Sequence, residues 1–191
     1  MNKFVEHFNT VCEHKKQVFK NCKKAGIPIR GILHDLSKFS YVEFSEGVKY
    51  YQGNRSPINA CKEQNGVSNA WLHHKGRNRH HFEYFWDMID GKLVAHQMPF
   101  IDVLEMICDI IAASKVYNKE KFTYQKPYEN RKKALAKIDP SLIHPQTRTF
   151  ILMMLKTIAD EDSDAVLKKK RAMNLYRKAE RIYKDECIHN W

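Results

Sequence analysis

The chain has 191 residues, 43% of them apolar, with seven glycines and six prolines, a globular composition that excludes disordered and collagen-like chains. A chain of this length buries a core without disulfides or structural metal, so one domain is expected. The net charge is +11 and the excess is shared: residues 1–90 hold 14 Lys/Arg against 9 Asp/Glu and the remainder 19 against 13, so there is no basic tail, only a surface that favours polyanions.

Periodicity predicts helices almost throughout. Phe4, Phe8, Val11, Cys12, Val18, Phe19 and Cys22 recur at helical spacing before Gly26 and Pro28, which predicts a first helix over about 3–24. Pro28 opens a second at its first position, running through Ile29, Ile32 and Leu33 to about residue 38. Ser40 with Glu43 three residues on is a capping-box signature for a third helix carrying Phe44, Val48 and Tyr51. The stretch QGNRS reads as a turn, Pro57 restarts a short helix, and Gly66 separates it from VSNAWLHHK, which Gly76 ends. Asn78 reads as the cap of a helix over RHHFEYFWDMID that Gly91 closes. No alternating strand pattern and no Asn-Gly hairpin signal is read, so no sheet is expected.

Ile101, Leu104, Cys108, Ile111 and Ala112 form an apolar stripe on a helix from Pro99 to about Asn118. After the loop KEKFTYQKP come three more helices, over about 128–138, 146–159 and 162–185, the last capped near Ser163. The class is all-α: a single-domain helical bundle of about eight to nine helices.

Five cysteines, Cys12, Cys22, Cys61, Cys108 and Cys187, form no CxxC pair, which excludes a zinc finger, and their odd number suits a reducing, cytoplasmic setting. Cys12 and Cys108 sit at apolar helical positions and read as small core residues rather than nucleophiles. No apolar run reaches the length of a membrane span, and MNKFVEHFNTVCEHKKQ has no apolar signal core, so neither spanning nor secretion is expected. Asp164, Glu180, Asp185 and Glu186 count against a membrane-surface helix at 162–185.

The stretch GILHDLSKFS sets His34 beside Asp35 in an apolar segment, with Lys38 three residues beyond. On a helix the three side chains reach one pocket, and a buried His-Asp pair is costly unless an ion or a hydrogen-bond network compensates it. His73, His74, His80 and His81 crowd into HHKGRNRHH; imidazole is a common transition-metal ligand, and carboxylate complements it where an ion must also activate water. His14 lies mid-helix, on the side away from Val11 and Val18, and His7 shares its face as the other candidate. Asp109 lies beside the apolar stripe of the long helix, where a carboxylate must be paired or coordinating, and Glu105 and Asp102 precede it on the same face. Trp71, Phe82, Tyr84, Phe85 and Trp86 can pack in a core or stack a base.

In chain order, His14, His34-Asp35, the histidine cluster and Asp109 resemble the HD phosphohydrolase superfamily, an all-helical group that binds one or two divalent metals through a lone His, an adjacent His-Asp pair and a distant Asp. HDLSK is also similar to the HD-x-x-K arrangement of HD enzymes that hydrolyse cyclic dinucleotides. Within that likeness, HKKQVF, GIPIRGILHDLSKFSYVEF, AWLHHKGRNRHHFEYF and EMICD resemble an uncharacterised family of small HD-like proteins common in bacteriophage and bacterial genomes, and they span residues 14–113. The resemblance implies an HD-like metal-binding helical core over 1–118, with 119–191 as C-terminal helices packed on the same domain.

It further implies His14, His34, Asp35 and Asp109 as ligands of a divalent metal: manganese, magnesium, iron, nickel, cobalt or zinc. One or two of His73, His74, His80 and His81 would hold a second ion or contact phosphate. The implied activity is that of a metal-dependent phosphohydrolase, in which a metal-activated hydroxide attacks the phosphorus of a nucleotide or other small phosphorylated substrate. Asp35 or Asp109 would orient the hydroxide, while Lys38, Arg77 and Arg79 neutralise phosphate oxygens. The alternative is a non-catalytic helical module that binds nucleic acid or a nucleotide ligand through its basic surface, where KKKR at 168–171 is the densest run.

Overall fold

The long apolar helix of mid-sequence is the axis of the structure. In the computed structural model, which describes residues 2–189 and side chains up to residue 185, this helix, α6 (Phe100–Asn118), is buried on nearly every side from Phe100 to Ala112. Cys187 lies outside the described side chains. α1 (Lys3–Lys24) packs along α6 and against α2 (Pro28–Leu33), while α8 (Pro145–Asp160) touches α6, α7 (Gln125–Ala136) and α9 (Lys169–His189). A single hydrophobic cluster runs from Val18 and Cys22 on α1 through Val103, Ile107 and Ile111 on α6 to Phe150 and Met154 on α8 and Ala172 and Ala179 on α9. The last third of the chain therefore closes the same core as the first two thirds.

A smaller layer covers the amino-terminal half of α1. It consists of α3 (Tyr41–Lys49), α4 (Pro57–Asn65) and α5 (Asn69–Lys75), with α3 at its centre. Its ends follow local chemistry: the Ser40 hydroxyl accepts from the Glu43 amide, the Ser68 hydroxyl accepts from the Trp71 amide at 3.0 Å, and left-handed Gly66 ends α4. Nine α-helices lie among the described residues, as the periodicity predicts, and no helix is long and apolar enough to cross a membrane.

Three predicted elements differ. Residues 79–90 are not a helix: Phe82–Phe85 is a single 3-10 turn, and β1 (Trp86–Ile89) pairs antiparallel with β2 (Lys92–Ala95), Ile89 opposite Lys92 and Trp86 opposite Ala95. Asp90 at φ 49° and Gly91 at φ 72° form the two-residue turn. Asp-Gly is a favoured pair for such a turn, so Gly91 is a hairpin residue and not a helix stop. The second helix ends at Leu33; Asp35 takes φ 52°, and Leu36–Phe39 is a 3-10 turn. The helix over 162–185 begins later, because Ser163 caps a 3-10 turn at Asp164–Leu167 and α9 starts at Lys169. On α1, His7, Val11, His14 and Val18 form one buried stripe. His14 thus shares the face of Val11 and Val18, three and four residues away, instead of opposing it.

α1 and α2 meet at a glycine. A Cβ on Gly31 would sit 2.7 Å from Cys22 Cβ and 3.0 Å from Phe19 Cα, so only hydrogen fits between the two backbones. Gly31→Ala is expected to cost about 1–3 kcal/mol by overpacking, a fall of roughly 2–4 °C in Tm for each of those kcal/mol in a chain this long. Thermal denaturation followed by circular dichroism reads it, and an unchanged Tm would show that the helices can part without cost.

Candidate metal centre

The break after α2 places the first group of ligand atoms. On a continued helix His34 and Asp35 would diverge by about 100°, but the left-handed step at Asp35 returns its side chain to that of His34, with His34 Nε2 3.2 Å from Asp35 Oδ2. Asp tolerates this region better than most residues, at a cost of order 1 kcal/mol. His14 arrives from α1 and Asp109 from α6: His14 Nε2 lies 3.0 Å from Asp109 Oδ1 and 3.8 Å from Asp35 Oδ2. The Lys15 ammonium donates to the carbonyls of Ile32 and His34, which the broken helix leaves open.

A second group meets the other oxygen of the same carboxylate. Asp35 Oδ1 lies 3.3 Å from His74 Nε2 and 3.4 Å from His80 Nε2, and His74 Nε2 is 3.0 Å from His81 Nε2. His74 comes from α5, while His80 and His81 come from the loop that precedes the hairpin. The ligand atoms within each group, His14-His34-Asp35-Asp109 and Asp35-His74-His80-His81, all lie within 4.8 Å of one another. Such separations suit neighbouring ligands around a cation with bonds of about 2.0–2.2 Å.

Two further carboxylates hold the imidazoles from behind. Glu105 Oε1 lies 2.9 Å from His34 Nδ1 and 3.4 Å from His80 Nδ1. Glu43 accepts from His73 Nδ1 at 2.6 Å and from His74 Nδ1 at 2.8 Å. With Nδ1 so engaged, His34, His74 and His80 turn Nε2 toward Asp35, the arrangement that fixes the tautomer of a ligating histidine. Arg30 braces the back wall, 2.5 Å from both Glu105 and Asp102. The Asn78 amide links the two turns by donating to Ser37 Oγ at 2.9 Å and to the His74 carbonyl at 2.8 Å.

The inner atoms lack ordinary partners. His14 Nε2, His34 Nε2, His80 Nε2 and both oxygens of Asp35 are buried without a hydrogen bond of normal geometry among the described residues. Orphaned polar atoms at this depth are costly, and a cation in each group would satisfy them. The donor set of imidazole nitrogen and carboxylate oxygen therefore fits a divalent transition metal. Charge agrees: burial opposes ionisation of Asp35 and Asp109, yet His34 and Lys38 around Asp35, and His14 and His34 around Asp109, hold both carboxyls well below the usual range. Burial and the Lys38 ammonium push His14 below the usual imidazole value, which favours the neutral, ligating form.

Seven of the sequence-predicted ligands meet here: His14, His34, Asp35, His74, His80, His81 and Asp109. His73 does not, since its Nδ1 is held by Glu43 outside both groups. Lys38 Nζ lies 2.6 Å from Asp35 Oδ2. Arg79 faces away, 3.1 Å from Asp102 and over the rings of Tyr84 and Phe85, and the exposed Arg77 donates to the His73 carbonyl. Asn78 caps no helix; its side chain is the link between the turns. His7 packs against Gly47 and the rings of Phe44 and Tyr51, apart from both groups. The Trp86 indole donates to the Leu142 carbonyl, so it serves packing, whereas Trp71 and Phe82 line the cavity over the centre.

Glu105 is legible as a face-mate of Asp109, but the other bracing residues carry no such signal. Glu43 is legible as a helix-start residue, and nothing local distinguishes that role from holding two imidazoles. Arg30 and Lys15 act across 75 and 19 residues of separation, where spacing carries no signal.

A cavity of about 730 Å³ opens over the cluster, and His14, Asp35, Lys38, His74, His81 and Asp109 lie on its wall. Over residues 3–157 the chain matches the model of a family of unknown function (DUF5662). The chain belongs to that family. No curated protein and no solved structure matches it. The DUF5662 match contains every residue of both groups together with Glu43 and Glu105, and α9 lies beyond it.

Purified protein is expected to retain a divalent transition metal after dialysis, and Asp35→Ala to lose it, because one carboxylate serves both groups. Glu105→Gln and Glu43→Gln are expected to weaken metal affinity by about 10–100-fold while leaving a folded chain. Elemental analysis and calorimetric metal titration read these outcomes; full metal content in Asp35→Ala would refute the shared centre.

Proposed function

We propose that this protein is a metal-dependent phosphohydrolase of the HD type, acting on a nucleotide or another small phosphorylated substrate. The observation that carries the reading is a buried carboxylate, Asp35, at the wall of a cavity, whose two oxygens face two different sets of imidazoles, with Nε2 of His14, His34 and His80 left without a partner among the described residues. The order of these residues along an all-helical chain is that of the HD superfamily, which adds support.

His14, His34, Asp35 and Asp109 would hold one divalent cation, and Asp35, His74, His80 and His81 a second. A cation bound so lowers the pKa of a coordinated water from 15.7 toward about 7 and polarises a phosphoryl oxygen. The protein's own groups position and compensate. Lys38 lies on the cavity wall beside Asp35; burial opposes its charge, but Asp35 and Asp109 raise its pKa, so it stays an ammonium that can meet phosphate oxygens. Glu105 and Glu43 keep the imidazoles aimed inward while substrate binds. Asp109, at the edge of the first group, is placed to accept a proton from a nucleophilic water.

Capture of nucleic acid by a silent module rests on the net charge of +11 and on the basic run at 168–171. Arg171 of the basic run is ion-paired to Glu161 at 2.5 Å, and residues 168–171 do not reach the cavity.

A screen of nucleotides, cyclic dinucleotides and p-nitrophenyl phosphate with manganese or magnesium is expected to find phosphoester cleavage that a chelator abolishes. Lys38→Met is expected to lower kcat/KM by about 10²-fold or more with metal content unchanged. Turnover by metal-free protein, or none with any metal and substrate, sinks the proposal.

A further inference from the structure

α7 belongs to the part of the chain in which no motif is legible, yet it reaches the cavity. Arg131 and Asn130 lie on the cavity wall together with Lys38, His81 and Asp109, so the carboxyl-terminal third completes the chamber into which the candidate ligands open. The Arg131 guanidinium makes no hydrogen bond and no ion pair among the described residues. Arg30, Arg55, Arg79 and Arg171, by contrast, each sit on a carboxylate. The acidic groups that Arg131 feels are Asp109, a member of the first ligand group, and Glu83, neither of them in contact with it. Lys38, the other cation at the cluster, is already held by Asp35.

A half-buried guanidinium on a cavity wall with no protein anion on it is free to take one from a ligand, and five N–H donors in a planar fork match the geometry of a phosphate or carboxylate better than any lysine does. We infer that Arg131 is an anion-recognition residue of the cavity, which grips a phosphate group of the ligand through its guanidinium fork and makes α7 part of the substrate site. The choice of phosphate rests on the phosphohydrolase reading; the existence of an anion site at Arg131 does not. A cavity of about 730 Å³ is in the size range of small-molecule sites and exceeds what one phosphate fills, so a phosphorylated organic molecule fits it.

The test titrates full-length, metal-loaded protein with inorganic phosphate by calorimetry, beside Arg131→Gln and, as a control outside the cavity, Arg171→Gln. Arg131→Gln is expected to weaken phosphate binding by about tenfold or more, the loss of a charged bidentate contact, with metal content and Tm unchanged; Arg171→Gln is expected to bind as the parent does. Should Arg131→Gln fail to fold, Arg131→Lys, which keeps the charge and loses the fork, is expected to weaken phosphate severalfold. Phosphate binding by a folded Arg131 variant within twofold of the parent overturns the inference. So does loss of phosphate that only tracks loss of metal, or a metal-loaded parent that binds no phosphate. Arg131-dependent phosphate binding in a protein that cleaves no phosphoester would leave the anion site standing and the hydrolase reading fallen.

Discussion

The carboxylate of Asp35 is buried and faces two ways, and the structure around it exists to make that arrangement tolerable. A lone carboxylate at such depth would be neutralised or expelled. Here it has His34 and His14 near one oxygen, His74 and His80 near the other, and the Lys38 ammonium at 2.6 Å. Glu105 holds the outer nitrogens of His34 and His80 and Glu43 that of His74, and Glu105 in turn is held by Arg30. Donors and acceptors alternate outward from Asp35, so removal of any member leaves its neighbours without a partner.

α6 carries both halves of this design on one rod. Val103, Ile107 and Ile111 enter the apolar core, while Asp102, Glu105 and Asp109 follow one another at three and four residues on the side that faces α2 and the histidine turn. The core anchors the rod, and the rod fixes the distance between Asp109 and His14 on α1. α7 and α8 contribute from the other side: they close the core and bring Arg131 to the cavity.

Around the His-Asp pair the usual partition is inverted. Ile32, Leu33 and Leu36 are more than half exposed, while His34 and Asp35 between them are buried. A continuous amphipathic helix would do the opposite and turn the leucines inward. The left-handed residue at Asp35 makes the inversion possible, and it is also why the helix predicted to run to residue 38 stops at Leu33.

Helical class, the long central helix, most caps and most of the ligand set are determined by the sequence itself, because each rests on short-range periodicity or on rare residue types set side by side. The hairpin at Asp90-Gly91 was also legible there, in a turn pair that a helical reading of RHHFEYFWDMID passed over. Tertiary structure alone decided which five of the ten histidines, His14, His34, His74, His80 and His81, share ion-sized spaces with Asp35, that His73 stands outside them, that Arg79 belongs to Asp102, and that Arg131 faces the cavity. Those choices depend on where helices far apart in the chain come to rest against α6, and residue spacing holds no record of that packing.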